Sequence, residues 1–438
     1  MKRRNCTALV AAMWLAAAAV SAAYAAEMPP LEQTAGYDIE YPHINYTDPA
    51  RGNCIAQLRE KLDDGQLRLA RDAKHGYLPA LLKALDIDVD SQVMVYSKTS
   101  LQFELVTPST PRAIYFNDEC YVAYVQGTPF LEFAALDAKR GVVFYTLDDR
   151  LAAPRFDRQG NTCLACHDTF SMTGGGVPRV LASSAVTDAP MDSRPMGPAQ
   201  EVTDRTPLSL RWGGWYVTGR QGKQQHLGNQ PVRESTNTRA LETLSPQNRR
   251  TLKDYYDTSK YLTPNSDLTA LLVLEHQSTI QNQIMRVNYK LPSVLARLQM
   301  QGRDNRTAMA GLVEPLVKAL FFDGAAQLDD AIEGNTDFAK HFVERGPVDS
   351  QGRNLRAFDL KTRVFRWPLS YLVYSQAFDS LSEPAWNYAA DRIVQVLRGE
   401  DTTGLSERIS AEDRAAVIQI LQQTHPRLAQ RLAATDAR

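Results

Sequence analysis

The sequence predicts an α+β fold in which an antiparallel β-rich N-terminal region is followed by a mainly α-helical region, and three observations carry that expectation. Between Ser91 and Leu147, short β-branched and aromatic runs are separated by breaks rich in Pro and Gly, the pattern of successive strands joined by short connections. Beyond about Ser235, apolar residues recur at three- and four-residue spacing over long stretches, which is helical periodicity. The chain has 438 residues, 44% apolar and 23% charged, the composition of a globular protein with room for two or three packed regions.

The elements follow in chain order. Lys2-Arg3-Arg4 precedes an apolar run from Ala8 to Val20 and then Ala23-Tyr24-Ala25, the layout of a signal peptide cleaved after Ala25. The apolar run is shorter than the roughly 20 residues that cross a bilayer, and Asn5-Cys6-Thr7 does not complete a twin-arginine signal, so general secretion is the expected route. No later segment reads as a membrane span. An approach segment from Met28 to Pro49 carries Tyr37, Tyr41 and Tyr46. Asn53 is placed to cap a helix whose inward face is Ile55, Leu58 and Leu62, and a short helix is expected from Leu78 to Leu85.

Six runs then read as strands of a mostly antiparallel sheet of five or six strands: 92–96, 101–106, 112–116, 120–125, 130–135 and 142–146. Cys163-Leu164-Ala165-Cys166-His167 follows the sheet, with Asn161-Thr162 as its capping context and Gly174-Gly175-Gly176-Val177-Pro178 as its stop. A Pro- and Asp-rich loop from Thr187 to Pro207 leads to an aromatic strand or hairpin, Leu208 to Thr218. Helices are expected at Asp267 to Gln301, Leu312 to Phe322, Trp386 to Leu397 and Ala411 to Gln423. The divisions are therefore a signal peptide (1–25), a β-rich region (26–150), an attachment region around the cysteine motif (151–235) and a mainly helical region (236–438).

The formal charge of −1 leaves no broad basic surface for nucleic acid. With Cys6 removed in the leader, Cys54, Cys120, Cys163 and Cys166 remain. Two belong to the motif, and in an oxidising compartment the other two read as a Cys54–Cys120 disulfide, with two buried free thiols as the alternative.

Cys163, Cys166 and His167 stand at i, i+3 and i+4, so one helical turn presents all three on one face. The two thiols are then placed to add to the vinyl groups of a haem while the imidazole reaches the iron. A CxxCH arises by chance in roughly one chain in a thousand of this composition. A thioredoxin-like dithiol has no use for the following His, and a structural zinc site lacks its second pair of ligands.

The segment resembles the attachment site of c-type cytochromes. That resemblance implies one covalent haem c, with Cys163 and Cys166 as thioether residues and His167 as the proximal axial ligand. It covers this short motif alone, and the size of the chain and its preceding sheet depart from a compact electron carrier.

The sixth iron position then separates electron transfer from substrate binding. His276 is one candidate, on a helical face with Leu272, Val273, Ile280 and Val287; a satisfied core histidine is the alternative. Met196, flanked by prolines, and His226, in a polar loop, are the others. Met172 is too close to His167. His43, His75, His341 and His425 read as structural or exposed. Tyr115, Asp118, Tyr121, Tyr124, Trp212 and Trp215 read as sheet and core packing. The expected function is electron transfer in the periplasm with a redox partner protein. The alternatives are a haem-dependent oxidoreductase of peroxidase or dehydrogenase type and a non-catalytic haem sensor or partner subunit.

Overall fold

The computed structural model describes residues 44–48, 52–168, 177–185, 199–229 and 248–436. The expected signal peptide, His43, Met172, the glycine run 174–176 and Met196 lie outside the described residues.

Helix α1 (Cys54–Asp63) starts where its cap requires, because the Asn53 side chain accepts the Ala56 amide. The same residue donates to the Tyr145 hydroxyl at 3.1 Å, so the cap also docks the helix on the sheet. Cys54 is bonded to Cys120. Helix α2 (Leu78–Ala84) buries Leu78, Leu81 and Leu82 beside it.

The sheet has seven strands: β1 (Val93–Val95), β2 (Arg112–Phe116), β3 (Cys120–Val125), β4 (Phe130–Asp137), β5 (Gly141–Asp148), β6 (Phe156–Gln159) and, after an intervening ribbon of β7 (Ser183–Ala185) and β8 (Ala199–Glu201), β9 (Trp215–Tyr216). Their spatial order is β6-β5-β4-β3-β2-β1-β9, and every neighbouring pair is antiparallel. β6 falls outside every run that read as a strand, β9 lies within the aromatic strand or hairpin expected at 208–218, and one expected strand is absent. Residues 101–105 form turns instead, with Leu101 and Leu105 well exposed. Pro108 and Pro111 follow this stretch, and without a buried face its apolar residues do not hold it in the ladder.

The period-2 pleat sorts side chains onto two faces. Met94, Tyr115, Val122, Phe133 and Tyr145 point to the back, where α1 and α2 cover them. Val93, Val95, Phe116 and Tyr121 point forward into the core built with the helices. At the β4–β5 end of the front face, Leu136, Val142 and Phe144 form a smaller cluster.

The front face is covered by α4 (Leu268–Met300), a 33-residue helix capped by Asp267 and ended at Gln301, within a residue of the expected span. At 1.5 Å per residue it runs about 50 Å, crossing the whole sheet. Its buried polar residues are paired: Gln277 and Gln281 meet the Tyr121 hydroxyl, Gln281 accepting it at 2.5 Å. Glu275 accepts Arg211 at 2.7 Å. Against α4 pack α5 (Arg306–Leu320) and α6 (Phe338–Glu344); α7 (Glu383–Arg398) packs on α5, and α8 (Ala411–Thr424) and α9 (Pro426–Asp436) pack on α7 and on each other. The helical half is less continuous than its periodicity suggests, since residues 346–370 are mostly turns and irregular chain.

Candidate functional site

Helix α3 (Asn161–His167) follows the edge strand β6 with only Gly160 between. Gly160 is the N-cap, and its carbonyl accepts the amides of Cys163 and Leu164; the cap thus lies one residue before the expected capping pair, which is itself helical. β6 forces this, because Gln159 is still paired with Phe144. One side of α3 turns Leu164 into the small front-face cluster with Phe144, Met285 and Tyr289. The helical offset of i, i+3 and i+4 leaves Cys163, Cys166 and His167 partly exposed together. The two cysteines are free and are not bonded to each other. Burial, reinforced by Glu132, pushes the Cys163 thiol up to about 12.

His167 is clamped to the segment that returns beside it. Its Nδ1 lies 2.7 Å from the Arg179 carbonyl oxygen, and the Arg179 amide donates to the His167 carbonyl at 3.0 Å. A carbonyl has no proton to give, so Nδ1 carries the hydrogen and Nε2 keeps its lone pair. Burial, with a smaller push from Arg112, lowers the imidazole pKa to about 4. His167 is therefore neutral at pH 7, with the tautomer a metal ligand at Nε2 needs. Phe144 holds the ring from one side at 4.5 Å between centroids. The clamp in turn is fixed by α4: Asn282 accepts the Val180 amide at 3.1 Å and donates to the Val180 carbonyl at 2.8 Å.

Two arginines complete the surroundings. Arg112 pairs with Glu132 at 3.5 Å, and Arg179 is held close to Glu201 and Asp168 by charge. Both keep a buried Nε without a hydrogen-bond partner among the described residues. Buried donors of this kind are costly unless an acceptor meets them, and the carboxylates of a haem are such acceptors. Cysteine pair, ligand-ready imidazole and unsatisfied guanidinium donors together fit a covalently held haem.

Tautomer chemistry sorts the other histidines differently. His276 has both ring nitrogens engaged, Nδ1 with Asp204 at 2.8 Å and Nε2 with Ser370 at 2.7 Å, and it packs on Phe322, Phe365 and Tyr371. It is not brought to the motif: α4 meets the motif's surroundings at Asn282, Met285 and Tyr289, more than a turn further along. His226 is buried against Trp212, and its Nδ1 accepts the Gly228 amide at 3.0 Å. The proton of the neutral ring is thereby placed on Nε2, which makes that atom a donor and not a ligand. His75, His341 and His425 contact Asp72, Asp88 and the Val373 carbonyl. Asp88, Asp90 and His341 bring three possible ligand atoms within 4.8 Å of one another, apart from the motif.

The aromatic and acidic residues of the sheet pack as expected: Tyr115 donates to Gln92, Asp118 pairs with Arg356, and Trp215 donates to the Ser183 carbonyl. Phe144, Arg112, Arg179 and Asn282 carry no sequence signal as site residues. No family model, no curated protein and no solved structure matches this chain.

Proposed function

We propose that this chain is an exported monohaem c-type cytochrome, with Cys163 and Cys166 as the thioether residues and His167 as an axial ligand, that transfers electrons to or from a protein partner in the periplasm. The observation that carries this reading is the His167–Arg179 clamp, which leaves a neutral imidazole with its Nε2 lone pair beside two free cysteines on one helical face. A haem bound there supplies single-electron redox chemistry. The protein's share is to hold the ring orientation through the Arg179 carbonyl, to pack Phe144 on the imidazole, and to offer the unpaired Nε donors of Arg112 and Arg179 to the haem carboxylates. The Cys54–Cys120 disulfide supports an oxidising compartment.

The test is expression with a cytochrome c maturation system, followed by a haem stain on a denaturing gel and a pyridine haemochrome spectrum. One haem per chain that survives denaturation is expected, and Cys163→Ser with Cys166→Ser abolishes it. A folded, exported chain without covalent haem overturns the proposal. The reduced spectrum under CO then decides the activity: no response fits electron transfer, whereas CO binding replaces it with a haem oxidoreductase or a sensor.

A further inference from the structure

A second site lies in the helical half, where a cavity of about 390 Å³ opens between the C-terminal end of α5 and the irregular chain around residue 365. None of the residues surrounding His167 lines it. Its inner wall is aromatic: Phe322 and Phe365 stack with centroids 5.4 Å apart, and the His276 ring lies 4.8 Å from Phe322 and 5.0 Å from Phe365. Phe322 holds this place in the left-handed region, at φ 56°, just past the end of α5 where glycine is the usual residue. A bulky side chain kept there against backbone preference marks a position valued for its ring. Trp367 also lines the cavity and is 8% exposed; its indole Nε1–H is buried with no acceptor among the described residues.

Asp204, His276 and Ser370 form a relay with the spacing of a hydrolytic triad, but its chemistry is closed. Ser370 is fully buried, does not line the cavity, and its hydroxyl oxygen already accepts the Leu372 amide. A nucleophile must meet its substrate, so the relay braces the wall and does not catalyse acyl transfer.

Charge at the mouth decides what the cavity takes. Arg205 and Arg408 share the single carboxylate of Asp323, and Arg363 and Arg366 share that of Asp413. With the inner pair Arg211–Glu275 and the lining carboxylate of Asp204 included, five guanidinium groups meet four carboxylates, a surplus of one positive charge. Arg211, further in, is neutralised by Glu275. We propose that this cavity binds a small organic carboxylate with an aromatic body, the ring lying against the wall formed by Phe322, Phe365 and Trp367 and the carboxylate toward Arg363 and Arg408. Aromatic walls accept a flat ring by stacking, and guanidinium groups at an accessible rim favour a carboxylate by paired hydrogen bonds.

Calorimetric titration of the full mature protein with 2-naphthoate and with its neutral isostere 2-naphthylmethanol tests this. The carboxylate is expected to bind about tenfold or more tighter. Arg363→Gln with Arg408→Gln, both at the accessible rim, is expected to equalise the two probes without altering the fold seen by circular dichroism. Ala325→Trp, which fills the lined volume, is expected to abolish binding of both. Equal binding of the two probes to the native protein, binding that persists in the filled variant, or no binding of 2-naphthoate at millimolar concentration overturns the proposal. None of these readouts depends on the haem assignment.

Discussion

Replacing Asn282 with alanine isolates the side chain by which the long helix α4 hydrogen-bonds the chain beside His167. Asn282 is 8% exposed and makes two hydrogen bonds to Val180, one to its amide and one from its own amide nitrogen to the carbonyl. Val180 adjoins Arg179, whose carbonyl sets the His167 tautomer. The substitution removes both bonds and puts nothing polar in their place. A net hydrogen bond is worth about 0.5–1.5 kcal/mol, so the pair amounts to about 1–3 kcal/mol. If opening of this segment is local, that energy accelerates amide exchange at Val180 by roughly 5- to 150-fold. Hydrogen exchange read by mass spectrometry on peptides covering 177–185 measures it directly, with urea unfolding of the same variant as a check on global stability. Exchange within twofold of the native protein, together with unchanged stability, refutes the reasoning that Asn282 is the brace of the His167 clamp.

Two further outcomes follow from the start of β3. Cys54→Ala with Cys120→Ala opens a loop of 66 residues between α1 and β3. The chain-entropy relation assigns such a loop about 4 kcal/mol at 25 °C, so the urea midpoint is expected to drop, and a loss below about 1 kcal/mol argues against this crosslink stabilising the native state. Glu119, beside that disulfide, has its carboxyl pushed up to about 7 by burial and then by Asp118. Its folded pKa lies above its unfolded one, so the unfolded chain loses its proton first and stability declines as the pH rises from about 4.5 to about 7. The decline is at most about 3 kcal/mol. Glu119→Gln is therefore expected to exceed the native protein in stability at pH 8 and to match it at pH 4, as urea titrations at the two values report. A difference independent of pH contradicts the assignment.

How much of this was legible beforehand differs by element. Strands β2 to β5 were readable because alternation survives wherever one face meets a core, and α4 was readable because Asp267 caps an unbroken apolar period. β6 was not: Phe156–Gln159 is too short for a periodic signal and exists as a strand through pairing with β5, whereas β9, Trp215–Tyr216, lies within the aromatic strand or hairpin expected at 208–218 and is fixed by pairing with β1. The run 101–106 has strand composition but no partner, and composition alone does not make a ladder.

Within the candidate site, the spacing of Cys163, Cys166 and His167 is a local property, set by helical geometry over five residues, and the Cys54–Cys120 pairing followed from parity once the motif claimed the other two. Those features the sequence determined by itself. Which histidine carries a free lone pair is a different kind of question, because a tautomer depends on what each nitrogen faces. His167 meets the carbonyl of Arg179, His226 meets the amide of Gly228, and His276 meets Asp204 and Ser370, 72 and 94 positions away. His276 had the apolar setting of a buried ligand, and only the tertiary structure closes both its nitrogens while giving Nε2 of His167 no partner among the described residues. Hydrogen-bond partners contributed across such distances in the chain are chosen by packing, and packing leaves no periodic trace in the sequence.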